Sequence, residues 1–248
     1  MRTTRLCSKI LELMINQMKN IFFCPDESNF YSNCLENLVL RNCQKSERVV
    51  EFGSGDGSPV INSLLRNKFD GVIHGFELNT SAWKTANLTI DEYNLGQKYI
   101  IHNSCLFESS QPEAEYLVAN PPYLPAPDKE IYMPLLFGGV DGATVTNELL
   151  SLGYDNVLLL VSSFSNPEST IVHAKANGYC VTNFIVLPLK FGDYSSEPKV
   201  KNHIEELRKN KMAFYSGDYY FLAGVLFQQS QDKSVDLSNQ LAQVMTSL

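Results

Sequence analysis

The 248-residue chain carries 27 acidic against 20 basic residues, a net charge of −7, and is 44% hydrophobic, which suits one sizeable core with a short appendage. An acidic balance without any Lys/Arg-rich run argues against binding a long nucleic acid, whose phosphate backbone calls for a basic face. The six cysteines form no C-x-x-C pair and the longest wholly apolar run, residues 157–161, is far short of a bilayer span, so zinc-ligand spacing, disulfide staples and a membrane anchor are all set aside.

Residues 1–20 lack the continuous apolar core and cleavage site of a secretory signal, so the compartment expected is the cytoplasm. Leu6, Ile10, Leu13, Met14 and Met18 recur at helical spacing. Residues 1–45 are therefore expected to form a helical extension, a lid over the site or a dimer contact, ahead of one domain over 46–248. From residue 46, strands are predicted over 48–52, 72–77, 99–102, 116–119 and 157–162. Helices are predicted from the turn at 53–59 to Leu65, over about 81–93, over 147–152 and over 167–177. Such alternation implies right-handed βαβ crossovers and a parallel sheet covered on both faces. Residues 181–187 and 219–227 are β-rich and aromatic and are expected to pair as an antiparallel hairpin at the sheet edge. A polar helix over 197–210 separates them, and a further helix is expected after Gln228. The fold class is thus α/β, doubly wound, with a mostly parallel seven-stranded Rossmann-like sheet.

The first chemical signal is Glu51-Phe52-Gly53-Ser54-Gly55-Asp56-Gly57, between a strand and a helix. Alternate glycines let the backbone turn tightly and approach a ligand, and the helix that follows presents free N–H groups. Glu77 ends the next strand and should stand beside that loop, where its carboxylate can accept both hydroxyls of a ribose. Loop and acid together fit a ribose-bearing cofactor, a dinucleotide included, although the G-x-G-x-G spacing departs from the usual dinucleotide G-x-G-x-x-G.

The second signal is the end of the fourth strand, Asn120-Pro121-Pro122-Tyr123. Two prolines fix the backbone and leave carbonyls as acceptors, Asn120 adds a side-chain acceptor, and Tyr123 offers a flat face to a planar group. A planar nitrogen that attacks a methyl sulfonium loses conjugation and turns cationic, and acceptors on its N–H groups favour that charge.

With these motifs the chain resembles class I S-adenosylmethionine-dependent methyltransferases of the NPPY subgroup, and within them the HemK/PrmC-type release-factor glutamine methyltransferases. The resemblance runs from roughly residue 24 to 227. It is carried by the loop at Glu51 to Gly57, by Glu77 with Ala82, Ala86 and Asn87, by 115–123, and by Leu136-Phe137-Gly138-Gly139-Val140-Asp141-Gly142. It implies S-adenosyl-L-methionine as cofactor and S-adenosyl-L-homocysteine as product. It implies cofactor contacts from Glu51, Gly53, Ser54, Gly55, Gly57, Glu77 and Leu78, with Cys105, Leu106 and Asn120 completing the pocket. It implies that Asn120 and the Pro121 carbonyl hold the acceptor nitrogen, with Pro122 and Tyr123 flanking it. Two departures stand out: Cys105 replaces the acid of a Ser-Asp-Leu-Phe pattern, and the N-terminal region is shorter than the family's.

The expected activity is N-methylation of a planar amide or amine in a protein, peptide or small metabolite, glutamine of a release factor being the family's own acceptor. The alternatives are adenine-N6 methylation of RNA or DNA, opposed by the acidic charge, and a non-catalytic methyltransferase-like partner subunit, opposed by two intact motifs. His74, His102, His173 and His203 lack metal-ligand spacing, and no metal is expected. Asp128, Glu130, Asp141, Ser162, Ser163 and Trp83 are read as structural, and the aromatic group Phe214, Tyr215, Tyr219, Tyr220 and Phe221 as hairpin packing. Oligomeric state is not read from the sequence.

Overall fold

The computed structural model describes residues 22, 24–44, 46–110, 112–229 and 235–248. The amphipathic spacing noted in residues 1–20 lies outside them. The strands are β1 (Arg48–Phe52), β2 (Val72–Phe76), β3 (Tyr99–His102), β4 (Tyr116–Ala119), β5 (Asn156–Ser162), β6 (Tyr179–Lys190) and β7 (Tyr219–Gln229). They form one seven-stranded sheet in the order β3-β2-β1-β4-β5-β7-β6. All neighbours from β3 to β5 are parallel, and β7 runs antiparallel to both β5 and β6.

The helices are α1 (Pro25–Cys34), α2 (Ser58–Arg66), α3 (Thr80–Glu92), α4 (Thr144–Leu150), α5 (Pro167–Ala176), α6 (Pro198–Lys209) and α7 (Ser238–Met245). α1 runs on as a π-helical segment over Leu35–Leu40. Strand alternation divides the core in two. Val49, Val118, Leu158 and Leu160 face a cluster with α1, α2, α3 and α6. Their neighbours Val50, Leu117, Val157 and Leu159 face a second cluster with α4, α5 and α7. Successive residues of a strand point to opposite faces, so the unbroken apolar run of β5 fits a strand covered on both sides. The helix expected within residues 1–45 thus packs directly on the sheet: Phe30, Tyr31, Cys34 and Leu35 share its core.

The C-terminal pair is antiparallel as expected, yet only β6 lies at the edge; β7 is inserted between β5 and β6. Leu222, Ala223, Val225 and Phe227 are wholly buried, which suits an internal strand. The half-exposed β6 carries Pro188, tolerated at an edge where one side of the strand needs no partner. Helix α6 fills the connection between them and buries Val200, Ile204 and Leu207 along one stripe.

Candidate active site

The loops leaving β1, β2, β4 and β6, together with the start of α1, wall a cavity of about 880 Å³. Its floor lies at the C-terminal ends of the parallel strands, where open α/β sheets receive ligands.

One half is built around the glycine turn. Gly53 and Gly55 have φ of +70° and +57°, left-handed values that glycine adopts without strain. A Cβ on either would meet nothing within 4 Å, so both present bare backbone to the cavity they line. Gly57, also left-handed, is different: a Cβ there would stand 3.1 Å from Ala86 Cβ and 3.3 Å from Tyr99 Cε1. Its place is in the packing of α2 against α3 and β3 behind the cavity wall, so it shapes the loop without facing a ligand.

Glu77 follows β2 directly. Its Oε2 accepts the Gly55 N–H at 2.7 Å and its Oε1 accepts the Asn79 N–H at 2.6 Å. A carboxylate has about four acceptor positions, so two backbone bonds aim the group and leave capacity for two ligand hydroxyls. Burial pushes its proton affinity up, and the two N–H bonds oppose that. Leu78, Cys105, Leu106, Phe52 and Phe76 supply apolar wall on this side, with Ser54 beside Gly53 and Gly55.

Glu51 is placed otherwise than the resemblance implied. It is wholly buried and is not part of the wall. Its oxygens accept the hydroxyls of Tyr31, at 3.2 Å, and Tyr99. It therefore ties α1 and β3 to the end of β1 beneath the glycine turn. Burial pushes its carboxyl up to about 7, against the bonds from Tyr99 and Tyr31.

The other half surrounds Asn120-Pro121-Pro122-Tyr123, all four of which line the cavity. Asn120 Oδ1 is buried and has no hydrogen-bond partner. An unsatisfied buried acceptor costs about 1–3 kcal/mol, a cost that a donor on a ligand would remove. The turn is held rigidly: Leu124 N–H donates to the Leu136 carbonyl at 3.0 Å, Gly138 N–H to the Leu124 carbonyl at 2.9 Å, and Ser165 Oγ to the Tyr123 carbonyl at 2.7 Å. A Cβ on Gly138 would lie 2.6 Å from Tyr123 Cα and 2.8 Å from the Pro122 carbonyl oxygen. The glycine-rich stretch at 136–142 is thus the backing of the turn.

Sequence reasoning missed Glu27. This acid of the first turn of α1 is buried, lines the cavity, and faces Tyr123, Asn120, Cys24 and Tyr220. Burial raises its proton affinity, and hydrogen bonding from those four groups opposes the rise. Pro25, Asp26 and Glu27 look like an ordinary helix start, with proline and acids in the first turn. The available signal was its phase: Glu27, Phe30, Tyr31 and Cys34 occupy one helical stripe, and the other three are apolar or aromatic.

Tyr219 and Tyr220, read from sequence as packing, also line the cavity, and Tyr220 packs edge-on to Phe164 at 4.7 Å. Several of the residues read as structural make contacts within the fold. Trp83 Nε1 donates to the Ile101 carbonyl at 2.9 Å, His102 stacks on Phe76, Ser163 Oγ donates to the Phe214 carbonyl at 2.6 Å, and Asp128 pairs with Lys199. Among the described residues no cluster of three His, Cys, Asp or Glu could hold a metal ion, and no helix is long and apolar enough to cross a membrane.

No family model matches the chain, and no curated protein matches it by sequence. Solved structures do match. A provisional RNA methyltransferase from Pyrococcus horikoshii superposes with a TM-score of 0.54 at 11% identity, over 85% of this chain and 88% of that one. A SAM-dependent methyltransferase from Geobacter sulfurreducens, solved with S-adenosyl-L-homocysteine, gives 0.50 at 12%, over 84% and 92%. The fold is that of the Rossmann-like methyltransferases. The [4+2]-cyclase SpnF matches as well, at 0.50 and 11% over 82% and 80%. A fold that also houses a cyclase leaves the chemistry to the site.

Proposed function

We propose that the protein is an S-adenosylmethionine-dependent N-methyltransferase of the NPPY subgroup that methylates a planar amide or amine nitrogen. The observation that carries this reading is the buried, unpartnered Asn120 Oδ1, at the end of β4 in the same cavity as the Glu77 carboxylate. The residues present fit the cofactor. Bare backbone at Gly53 and Gly55 can approach its methionine part, Glu77 can accept its ribose hydroxyls, and Leu78, Cys105 and Leu106 can wall its adenine. Bound there, S-adenosylmethionine supplies a methyl group already activated by the sulfonium.

The chain's own part is then to place a nitrogen in line with that methyl and to stabilise the charge it gains. Asn120 Oδ1 and the Pro121 carbonyl accept N–H bonds from the acceptor, and Tyr123 bounds its plane. The rigid backing of the turn at Leu136, Gly138 and Ser165 favours a fixed geometry. A protein, peptide or small metabolite suits the acidic surface as acceptor; glutamine of a release factor is the first candidate by resemblance. α1, whose first turn lines the cavity, would serve as its cover.

Calorimetric titration with S-adenosyl-L-homocysteine tests the cofactor, and the absence of binding would refute the reading. Incubation with methyl-labelled S-adenosylmethionine and a cell extract should label a protein or metabolite on nitrogen. Label in RNA or DNA, with retention on a polyanion column at moderate salt, would favour adenine-N6 methylation instead.

A further inference from the structure

Glu27 is a buried carboxyl in the cavity wall, supplied by α1 and directed at the turn that follows β4. Among the described residues none of the ion pairs involves it. The groups that face it are neutral: the Asn120 amide, the Tyr123 and Tyr220 hydroxyls and the Cys24 thiol. A buried carboxylate without a cation is costly, and an incoming cation or proton relieves the cost. Asn120 Oδ1, on the same cavity wall, has an acceptor position with no donor. An amide oxygen and a carboxyl thus stand on the wall of one cavity.

We propose that Glu27 takes the proton released on methylation, and that the acceptor is an –NH2 group with one hydrogen held by Asn120 Oδ1 and the other shared between the Pro121 carbonyl and Glu27. The inference rests on the methyl-transfer reading above and narrows its substrate class to primary amides, primary amines and exocyclic amino groups. The nitrogen lone pair forms the new N–C bond while the C–S bond breaks and leaves its electron pair on sulfur. The nitrogen, now cationic, gives one N–H proton to a Glu27 carboxylate oxygen, so a neutral methylated product leaves a protonated Glu27 that exchanges with solvent. A hydroxyl or thiol acceptor would offer only one hydrogen and leave Asn120 Oδ1 or Glu27 unmet.

The test uses two cofactor-site probes and needs no acceptor. S-adenosyl-L-homocysteine has no charge where the methyl group would be, whereas sinefungin carries an ammonium there. The full chain and its Glu27→Gln variant are titrated calorimetrically with both. The wild type is expected to prefer sinefungin, and Glu27→Gln to lose about tenfold of that preference, a difference of about 1.4 kcal/mol. Its affinity for S-adenosyl-L-homocysteine should change less than about twofold, which also reports an intact fold. The wild-type preference should weaken as pH falls and Glu27 takes up a proton; the variant should lack this Glu27-dependent component. Glu27→Asp, which keeps the charge on a shorter arm, should retain part of the preference and stands in if the glutamine variant does not fold. An unchanged preference in Glu27→Gln, or equal loss of both ligands, overturns the role of Glu27 while leaving the cofactor reading intact. Failure of the wild type to bind either ligand sinks both.

Discussion

The two halves of the cavity are made by different means. The half around Gly53, Gly55 and Glu77 is formed by the ends of two adjacent parallel strands, and its contacts are largely backbone: Gly55 and Asn79 N–H groups aim the carboxylate. The half around Asn120 is assembled from side chains distant in sequence, with Glu27 from α1, Tyr123 after β4 and Tyr220 from β7. The first resembles a standard socket that any ribose-bearing ligand could use. The second draws on segments far apart in the chain, and on the proposed reading it is the half that meets the methyl acceptor. Binding and chemistry should therefore separate by mutation.

The sharpest break between the halves is expected from Asn120→Ala. Turnover on the acceptor found by extract labelling should fall about 10²–10³-fold, the scale seen when one transition-state hydrogen bond is removed. Affinity for S-adenosyl-L-homocysteine should stay within about twofold; equal loss of both would make Asn120 a structural residue and dissolve the distinction. Next in size is the support beneath the glycine turn. The Glu51 carboxyl rises from an ordinary 4.5 to about 7 on folding, so the folded protein holds a proton that the unfolded chain gives up between those values. Its contribution to stability is fully present below about pH 4.5 and is lost as pH rises through about 7. Chemical denaturation from pH 5 to 8 should show that loss, on the order of 3 kcal/mol, in the wild type relative to Glu51→Gln. Parallel curves for the two proteins would contradict the assignment.

Glu77→Ala should weaken S-adenosyl-L-homocysteine binding about tenfold to a hundredfold, the worth of hydrogen bonds to a charged group. An unaltered dissociation constant would move the ribose contact elsewhere. The smallest effect belongs to the brace of the acceptor turn. Ser165→Ala removes the donor to the Tyr123 carbonyl, and should lower stability by about 1 kcal/mol and turnover a few-fold without touching cofactor affinity. Weaker cofactor binding in that variant would show the two halves to be coupled.

The strands from 48 to 162 were legible because each is a short apolar run bounded by turn residues, and in a parallel sheet both faces are buried. Glu77 was legible too, since adjacent parallel strands end on the same side. The order of the last two strands was not: β-rich segments at 181–187 and 219–227 announce pairing, but nothing local tells that β7 enters between β5 and β6. That depends on which strand has both faces covered, and so on where α5, α6 and α7 pack. Glu51 was misplaced for a similar reason. Its position beside the glycines is local, but its direction is set by Tyr31 and Tyr99, which reach it from two other elements.

By itself the sequence determined the sheet, the glycine turn with its carboxylate and the rigid Asn-Pro-Pro-Tyr corner, because each follows from backbone preferences within a few residues or from the common polarity of parallel strands. Only the tertiary structure decided that α1 lies on the sheet and brings Glu27 to Asn120. Burial depends on what covers a residue, and the cover here comes from segments almost a hundred positions away or more.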